Sequence, residues 1–154
     1  MQGACRRTLA AAAIILVAGG AVAIFLVDFG LHDKGRVEVA IACWRQAIAL
    51  DPELAWAHYH LGAALADKGQ VDEAIACYQK AIALDPKNAS AHNNLGAALH
   101  SKGQVDRAIA CHRNAIELDP EYGAAHYNLG LALEDKGQVD AAIACFQKAI
   151  ALDP

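Results

Sequence analysis

Residues 53–86 read ELAWAHYHLGAALADKGQVDEAIACYQKAIALDP, and the same pattern returns without a gap at 87–120 and at 121–154. The three copies carry the same residue at 20 of 34 positions, so the chain is a repeat array rather than a domain with one irregular core. A partial first copy, residues 28–52, precedes them and matches best from Asp33 onward. The repeat thus organises about four fifths of the chain.

Each copy contains the pattern of two helices. In the first full copy, alanine and leucine predict one helix over Ala55–Asp67. Gly69 ends this helix, because glycine tolerates the left-handed backbone that terminates helices. A second helix is predicted over Val71–Leu84, with apolar residues at three- to four-residue spacing along one face. Pro86 then ends the pair, because proline has no amide hydrogen for helical bonding.

A 34-residue helix–turn–helix unit of this kind resembles the tetratricopeptide repeat (TPR) family. The positions that carry the resemblance hold a Leu-Gly pair, two alanines, an aromatic or histidine, and a closing proline. They are Leu61-Gly62, Leu95-Gly96 and Leu129-Gly130; Ala74, Ala108 and Ala142; Ala81, Ala115 and Ala149; Trp44, Tyr78, His112 and Phe146; and Pro52, Pro86, Pro120 and Pro154. The resemblance implies an all-α solenoid of about 3.5 repeats, with the first helix of each repeat lining a concave groove. His58, His92 and His126 stand where the family often has Trp, and we expect them to fill that packing position.

Leu9–Val27 is a run of nineteen residues without charge, LAAAAIILVAGGAVAIFLV, and a short basic tail, residues 1–8, precedes it. As a helix the run would span about 28 Å, close to the hydrocarbon thickness of a bilayer. We therefore expect a single-pass transmembrane anchor, an N-terminal hydrophobic helix over 9–27, which continues through Ala21 to His32 into the partial repeat. The predicted localisation is the membrane, leaning towards an extracytoplasmic domain. Two alternatives remain open: a cleaved signal peptide with a site at Ala21-Val22-Ala23, and a buried soluble helix.

The chain shows no arrangement of residues that predicts catalysis. It has no nucleophile–base pair, no phosphate-binding glycine loop and no pair of catalytic carboxylates, so we expect no enzyme, no catalytic residue, no metal and no cofactor. From Asp28 onward there are 11 basic and 17 acidic residues, a net charge of 11 − 17 = −6, which disfavours nucleic acid as a partner. Four cysteines recur at the repeat spacing, and we expect them to be small apolar residues in the packing rather than a metal or redox ladder. They are Cys43, Cys77, Cys111 and Cys145.

The copies differ mainly where the resemblance places the concave groove: six of the 14 variable positions lie there. The predicted protein-binding residues are Trp56, Tyr59, His60, Asn93, Asn94, His100, Tyr127, Asn128 and Leu131. Asn94 and Asn128 resemble the asparagine ladder that holds peptide backbones in the repeats of O-linked N-acetylglucosamine transferase. Repeats that bind chaperone tails use Lys and Arg at groove positions that hold Ala66, Asp67, His100, Ser101, Glu134 and Asp135 here, so no carboxylate clamp is expected. The alternative is that exposed positions drifted freely after duplication.

The function that these observations predict is a non-catalytic, membrane-anchored TPR scaffold that binds protein segments in its groove. Two alternatives remain. The chain could be the TPR portion of a longer enzyme, such as a glycosyltransferase or a kinase-associated protein. It could also be a structural protein that self-associates through its last repeat, where Phe146, Ala149 and Ile150 have no following helix to cover them in this sequence.

Overall fold

The computed structural model describes residues 15–18, 21–24 and 34–153. Its two strands, β1 and β2, pair antiparallel with Ile15 opposite Ile24. Seven helices follow in the described part of the chain. The bounds are β1 Ile15–Ala18, β2 Ala21–Ile24, α1 Lys34–Leu50, α2 Ala55–Asp67, α3 Val71–Leu84, α4 Ala89–Ser101, α5 Val105–Leu118, α6 Gly123–Asp135 and α7 Val139–Leu152. Pairs α2–α3, α4–α5 and α6–α7 are the three full repeats, and α1 is the second helix of the partial repeat.

The predicted helix pair of the first full repeat is confirmed at both ends of both helices. The first helix ends in a Schellman motif: the amide of Gly69 donates to the carbonyl of Ala66 at 2.9 Å, and the amide of Gln70 donates to that of Leu65 at 2.8 Å. Gly69 has φ of +80°, a conformation that a side chain would strain. A local signal, glycine after an alanine-rich helix, therefore sets this turn.

The N-terminal hydrophobic helix is not found in the described part of the chain. Residues 15–18 and 21–24 of the apolar run are strands, so the run does not continue as a helix through Ala21–Ile24 into the partial repeat. Isoleucine and valine, which recur in both segments, favour extended backbone over helix. Residues 1–14 and 25–33, with the basic tail and the start of the partial repeat, lie outside the described residues.

The expected membrane localisation is wrong. Among the residues that the structure describes, every helix is too short or too polar to cross a bilayer. The nineteen-residue length of the apolar run suggested a transmembrane span, but an apolar run of this length and composition is equally compatible with two short apolar strands.

The helices form two layers. In the inner layer α4 touches both α2 and α6, while the second helices α3, α5 and α7 pack against the outside of their partners. This arrangement confirms the all-α solenoid and places the first helices along one continuous face, which we call the groove. The groove therefore consists of the inner faces of α2, α4 and α6.

Small residues let the two helices of each repeat approach closely. A Cβ atom placed on Gly96 would lie 2.6 Å from the ring of His112, and Gly62 and Gly130 meet Tyr78 and Phe146 in the same way. The Leu-Gly pairs are thus required by packing. Leu65 and Leu99, each 1% exposed, anchor the same layer, and burial of each contributes roughly 1.5–3 kcal/mol.

Ion pairs fasten neighbouring repeats on the surface away from the groove. Lysines at the ends of the first helices contact acidic residues at the start of the preceding second helices, at distances of 2.6, 3.0 and 2.7 Å. The pairs are Lys68–Glu38, Lys102–Asp72 and Lys136–Asp106. All six side chains are solvent-exposed, so each pair contributes less than about 1 kcal/mol.

Candidate protein-binding groove

The nine predicted groove residues all lie on first helices. Trp56, Tyr59 and His60 are on α2; Asn93, Asn94 and His100 are on α4; Tyr127, Asn128 and Leu131 are on α6. The structure brings some of them into direct contact across repeat boundaries and turns one of them inward.

Asparagine side chains join each first helix to the one before it. Asn94 Nδ2 donates to the hydroxyl of Tyr59 at 3.3 Å, and Asn128 Nδ2 donates to Oδ1 of Asn93 at 3.1 Å. Donor and acceptor are 35 residues apart in both bonds, one repeat plus one position. Each half-buried amide therefore uses one N–H within the solenoid and keeps an N–H and a carbonyl oxygen to offer to a ligand.

Asn93 does not present its side chain to the groove as expected. It is 4% exposed, and its Oδ1 lies 2.9 Å from Nδ1 of His112 on the second helix of the same repeat. Because Oδ1 can only accept, His112 carries its hydrogen on Nδ1 and donates it to Asn93. Both positions hold aromatic residues in the two other full copies. The replacement of both aromatics by polar residues in the same repeat was the signal that could have revealed the bond.

His112 is fully buried and electrically neutral. Desolvation lowers its pKa to about 4, with a smaller contribution from His100, because the interior cannot stabilise a charged imidazole. Its Nε2 has no hydrogen-bond partner within the described residues. The aromatic position of the second repeat is therefore filled by a polar ring that must stay uncharged.

The first end of the groove is an aromatic cluster. The ring of His60 stacks on Trp44 with centroids 5.0 Å apart, and Trp56 meets Trp44 edge-on at 5.5 Å. Desolvation lowers the pKa of His60 as well. Trp56 is half-buried in this cluster, so it contributes to packing between α1 and α2. Tyr127, at the other end, is 51% exposed.

Three repeated histidines have a role that sequence reasoning missed. His58, His92 and His126 place Nε2 at 3.1, 3.1 and 3.0 Å from the carbonyl oxygens of Pro52, Pro86 and Pro120. Each imidazole donates to the proline that closes the preceding repeat. They are half-buried and satisfy a turn carbonyl, which the recurring His–Pro spacing of six residues could have indicated.

An open cleft of about 410 Å³ lies in the groove between α2 and α4. Four alanines and a valine line it, and a carboxylate, a phenol, an amide and a hydroxyl supply its polar atoms. It is lined by Ala63, Ala66, Asp67, Val71, Tyr78, Asn94, Ala97, Ala98 and Ser101. Among the nine predicted residues only Asn94 lines it. Burial raises the pKa of Tyr78 to about 12, with further contributions from Tyr59 and Asp67, so this phenol is neutral at physiological pH.

The repeated cysteines are free thiols, half-buried on the second helices, in agreement with the prediction of packing residues. Burial raises the pKa of the Cys77, Cys111 and Cys145 thiols, which makes them poor nucleophiles. Within the described residues, no three His, Cys, Asp or Glu side chains are placed to hold a metal ion.

Comparison with known proteins agrees with the repeat architecture. The family model described as TPR repeat matches residues 31–69, 64–103 and 98–137, and the one described as tetratricopeptide repeat matches 123–154. A crystal structure of MamA is 34% identical, covers 77% of this chain and 70% of its own, and superposes with a TM-score of 0.72. MamA from Desulfovibrio magneticus RS-1, residues 41 to the end, is 28% identical over 77% of this chain and 67% of its own, with a TM-score of 0.71. No curated protein matches the chain.

Proposed function

Because the chain belongs to the tetratricopeptide repeat family, we propose that it is a non-catalytic scaffold that binds an extended protein segment in the groove of α2, α4 and α6. The supporting observation is the pair of groove amides at Asn94 and Asn128. Each uses one N–H to fasten the solenoid and keeps a donor and an acceptor beside each other. A peptide unit also presents one donor and one acceptor, so these amides suit a backbone of any sequence.

The position of the two amides supports an extended partner. They occupy the same position in consecutive repeats, on neighbouring helices of one layer. Adjacent packed helices lie roughly 8–10 Å apart, and a fully extended chain advances about 3.3–3.6 Å per residue. A bound segment would therefore advance by about two to three residues between Asn94 and Asn128. Tyr127, half-exposed beside this line, offers an apolar face with a polar tip.

The test compares the proteins that associate with two variants of the full chain. Asn94→Ala with Asn128→Ala removes the free amide groups, and Lys80→Ala with Lys148→Ala changes exposed residues of the outer helices as a matched control. Quantitative mass spectrometry of cross-linked complexes should show a common set of proteins that the groove variant loses by tenfold or more and the control retains. Equal recovery by both variants would contradict the proposal, provided both unfold at the wild-type temperature.

A second candidate function is self-association through the last repeat. On α7 the side chains of Val139, Ile143 and Ile150 are 56%, 47% and 66% exposed, whereas Val71, Ile75 and Ile82 at the same positions of α3 are half-buried against α4 or the core. Ile143→Lys with Ile150→Lys should abolish any concentration-dependent rise in sedimentation coefficient. Weak self-association with a micromolar dissociation constant becomes detectable by about 100 µM. A wild-type chain that stays monomeric up to that concentration would eliminate this candidate.

A further inference from the structure

The cleft between α2 and α4 lies where two groove positions hold alanine that hold larger residues at the next boundary. At the equivalent boundary between α4 and α6, His100 stands where the first boundary has Ala66, and Leu131 stands where it has Ala97. His100 also reaches across that second boundary, with Nε2 2.7 Å from Oδ2 of Asp135. The second boundary thus holds larger side chains than the first at two positions, although the helices around them are built on the same pattern.

The inner helices carry no positive side chain that could fill the open cleft. Helices α2, α4 and α6 contain three carboxylates and neither Lys nor Arg. In the described part of the chain the basic residues lie on α1, on the other outer helices or in the turns, and the turn lysines Lys68, Lys102 and Lys136 contact acidic residues of the outer helices. Among the described residues the carboxylate of Asp135 is in hydrogen-bond contact with His100, whereas Asp67 forms no ion pair.

The polar atoms of the cleft are suited to accept hydrogen bonds. The hydroxyl of Ser101 donates to the carbonyl of Ala98 at 2.8 Å, which leaves its lone pairs available. The phenol of Tyr78 is neutral, and in the described part of the chain the side-chain oxygen of Asn94 remains available as an acceptor. A carboxylate at the rim with three further acceptors would repel an anion and would pair with an ammonium or guanidinium group.

We propose that this cleft is a subsite for a Lys or Arg side chain of the protein segment bound in the groove. The inference rests on the proposed function and adds the chemistry of the partner: an extended, positively charged segment. The aliphatic stem packs against Ala63, Ala66 and Ala97, and the charged end meets Asp67 and the hydroxyl of Ser101. The volume of about 410 Å³ falls within the roughly 300–1,000 Å³ of protein ligand sites.

The experiment is selection of a random nonapeptide library by the full-length chain at near-physiological salt, followed by affinity measurement on the selected peptides. The peptides are acetylated and amidated, so that no terminal charge contributes. Selected peptides should contain Lys or Arg at one fixed position. Replacement of that residue by Gln should weaken binding about three- to fivefold, as expected for a partly solvated ion pair.

Three variants test the position of the subsite. Asp67→Asn should weaken binding about three- to fivefold and should have no further effect on the Gln-substituted peptide, because both changes remove one interaction. Ala66→His copies the residue that the next repeat tolerates at this position, and it should weaken binding about tenfold by filling the cleft. Asp135→Asn is the matched control: its carboxylate already contacts His100, so we expect less than a twofold change.

The outcomes separate the inference from the proposed function. Peptides that require Asn94 and Asn128 but show no preference for Lys or Arg would overturn the subsite and leave the groove function standing. Selected basic peptides that bind Asp67→Asn and Ala66→His as tightly as wild type would also overturn the subsite, because attraction would then be general. If no selected peptide requires Asn94 or Asn128, both the groove function and the subsite are refuted.

Discussion

Protonation of His112 should make the solenoid lose stability between pH 6.5 and pH 4. The ring is fully buried, and its pKa is lowered from 6.5 to about 4. Between these values the unfolded chain binds a proton at this site and the folded chain does not, so lowering the pH favours unfolding. Above pH 6.5 the ring is neutral in both states, and its contribution to stability is complete.

The size of the effect follows from the two pKa values. Each unit of difference corresponds to about 1.4 kcal/mol, and half of the folded molecules are protonated at His112 by pH 4. The expected loss is therefore about 3 kcal/mol between pH 7.5 and pH 4. The quantity to measure is a difference between variants, because contributions that both variants share then cancel.

The variant is His112→Phe, which copies Phe146 at the same position of the next repeat, where the ring also packs against a glycine. Asn93 Oδ1 keeps its bond from Asn128 in this variant. Urea unfolding followed by circular dichroism, at half-unit steps from pH 7.5 to pH 4, should show that the variant loses about 3 kcal/mol less than wild type. Tyr78→Phe is the control, and its acid profile should parallel wild type because Tyr78 titrates near pH 12.

Parallel pH profiles for wild type and His112→Phe, within about 0.5 kcal/mol, would refute this reasoning; that margin is the usual scatter of additive effects. Such a result would mean that the ring accepts a proton without leaving its site. The free energy of unfolding of His112→Phe at neutral pH does not by itself test this reasoning. Removal of the unpartnered Nε2 raises it, whereas loss of the hydrogen bond to Asn93 lowers it.

Further predictions concern packing, surface charge and thiols. Gly96→Ala should destabilise the chain by about 1–3 kcal/mol because its Cβ would lie 2.6 Å from the buried imidazole. Gly123→Ala, with no heavy atom closer than 3.7 Å, should stabilise it by about 0.4–1 kcal/mol; thermal shifts of equal sign would contradict this pair. Lys102→Gln should lower the free energy of unfolding by less than about 1 kcal/mol, and 1 M NaCl should remove most of the difference, since the pair with Asp72 is exposed; a loss that is independent of salt would argue against this origin. Cys77 should react with a disulfide reagent more slowly in the folded chain than in urea, because burial raises the pKa of its thiol; equal rates in peptide mapping would show that it is accessible and ionised.

Helix positions and turns were predictable because their signals are local. The bounds Ala55–Asp67 and Val71–Leu84, and the left-handed Gly69, follow from residues within a few positions of each boundary. The apolar run was misjudged because its composition suits a bilayer-length helix and a pair of strands alike. Its isoleucines and valines were the residues that favoured strands.

The groove was predictable as a face but not as a set of interactions. The repeat register placed all nine candidate residues on inner helices, yet Asn93 is turned inward by a bond to His112, nineteen residues away on the facing helix. The same register could not show that Asn94 and Asn128 each commit one N–H to the preceding repeat. These bonds join residues far apart in sequence, so no local pattern specifies them.

The sequence by itself determined that this protein is a repeat solenoid, because the recurrence of 34 residues dictates the helix pairs and the faces that they bury. Only the tertiary structure decided that a cleft lies between the first two full repeats. Ala66 of one helix and Ala97 of another line the cleft beside Asp67, and His100 and Leu131 hold the corresponding positions at the next boundary. Side chains from two helices share the space between them, so the size of the cleft is defined only when the helices are packed together.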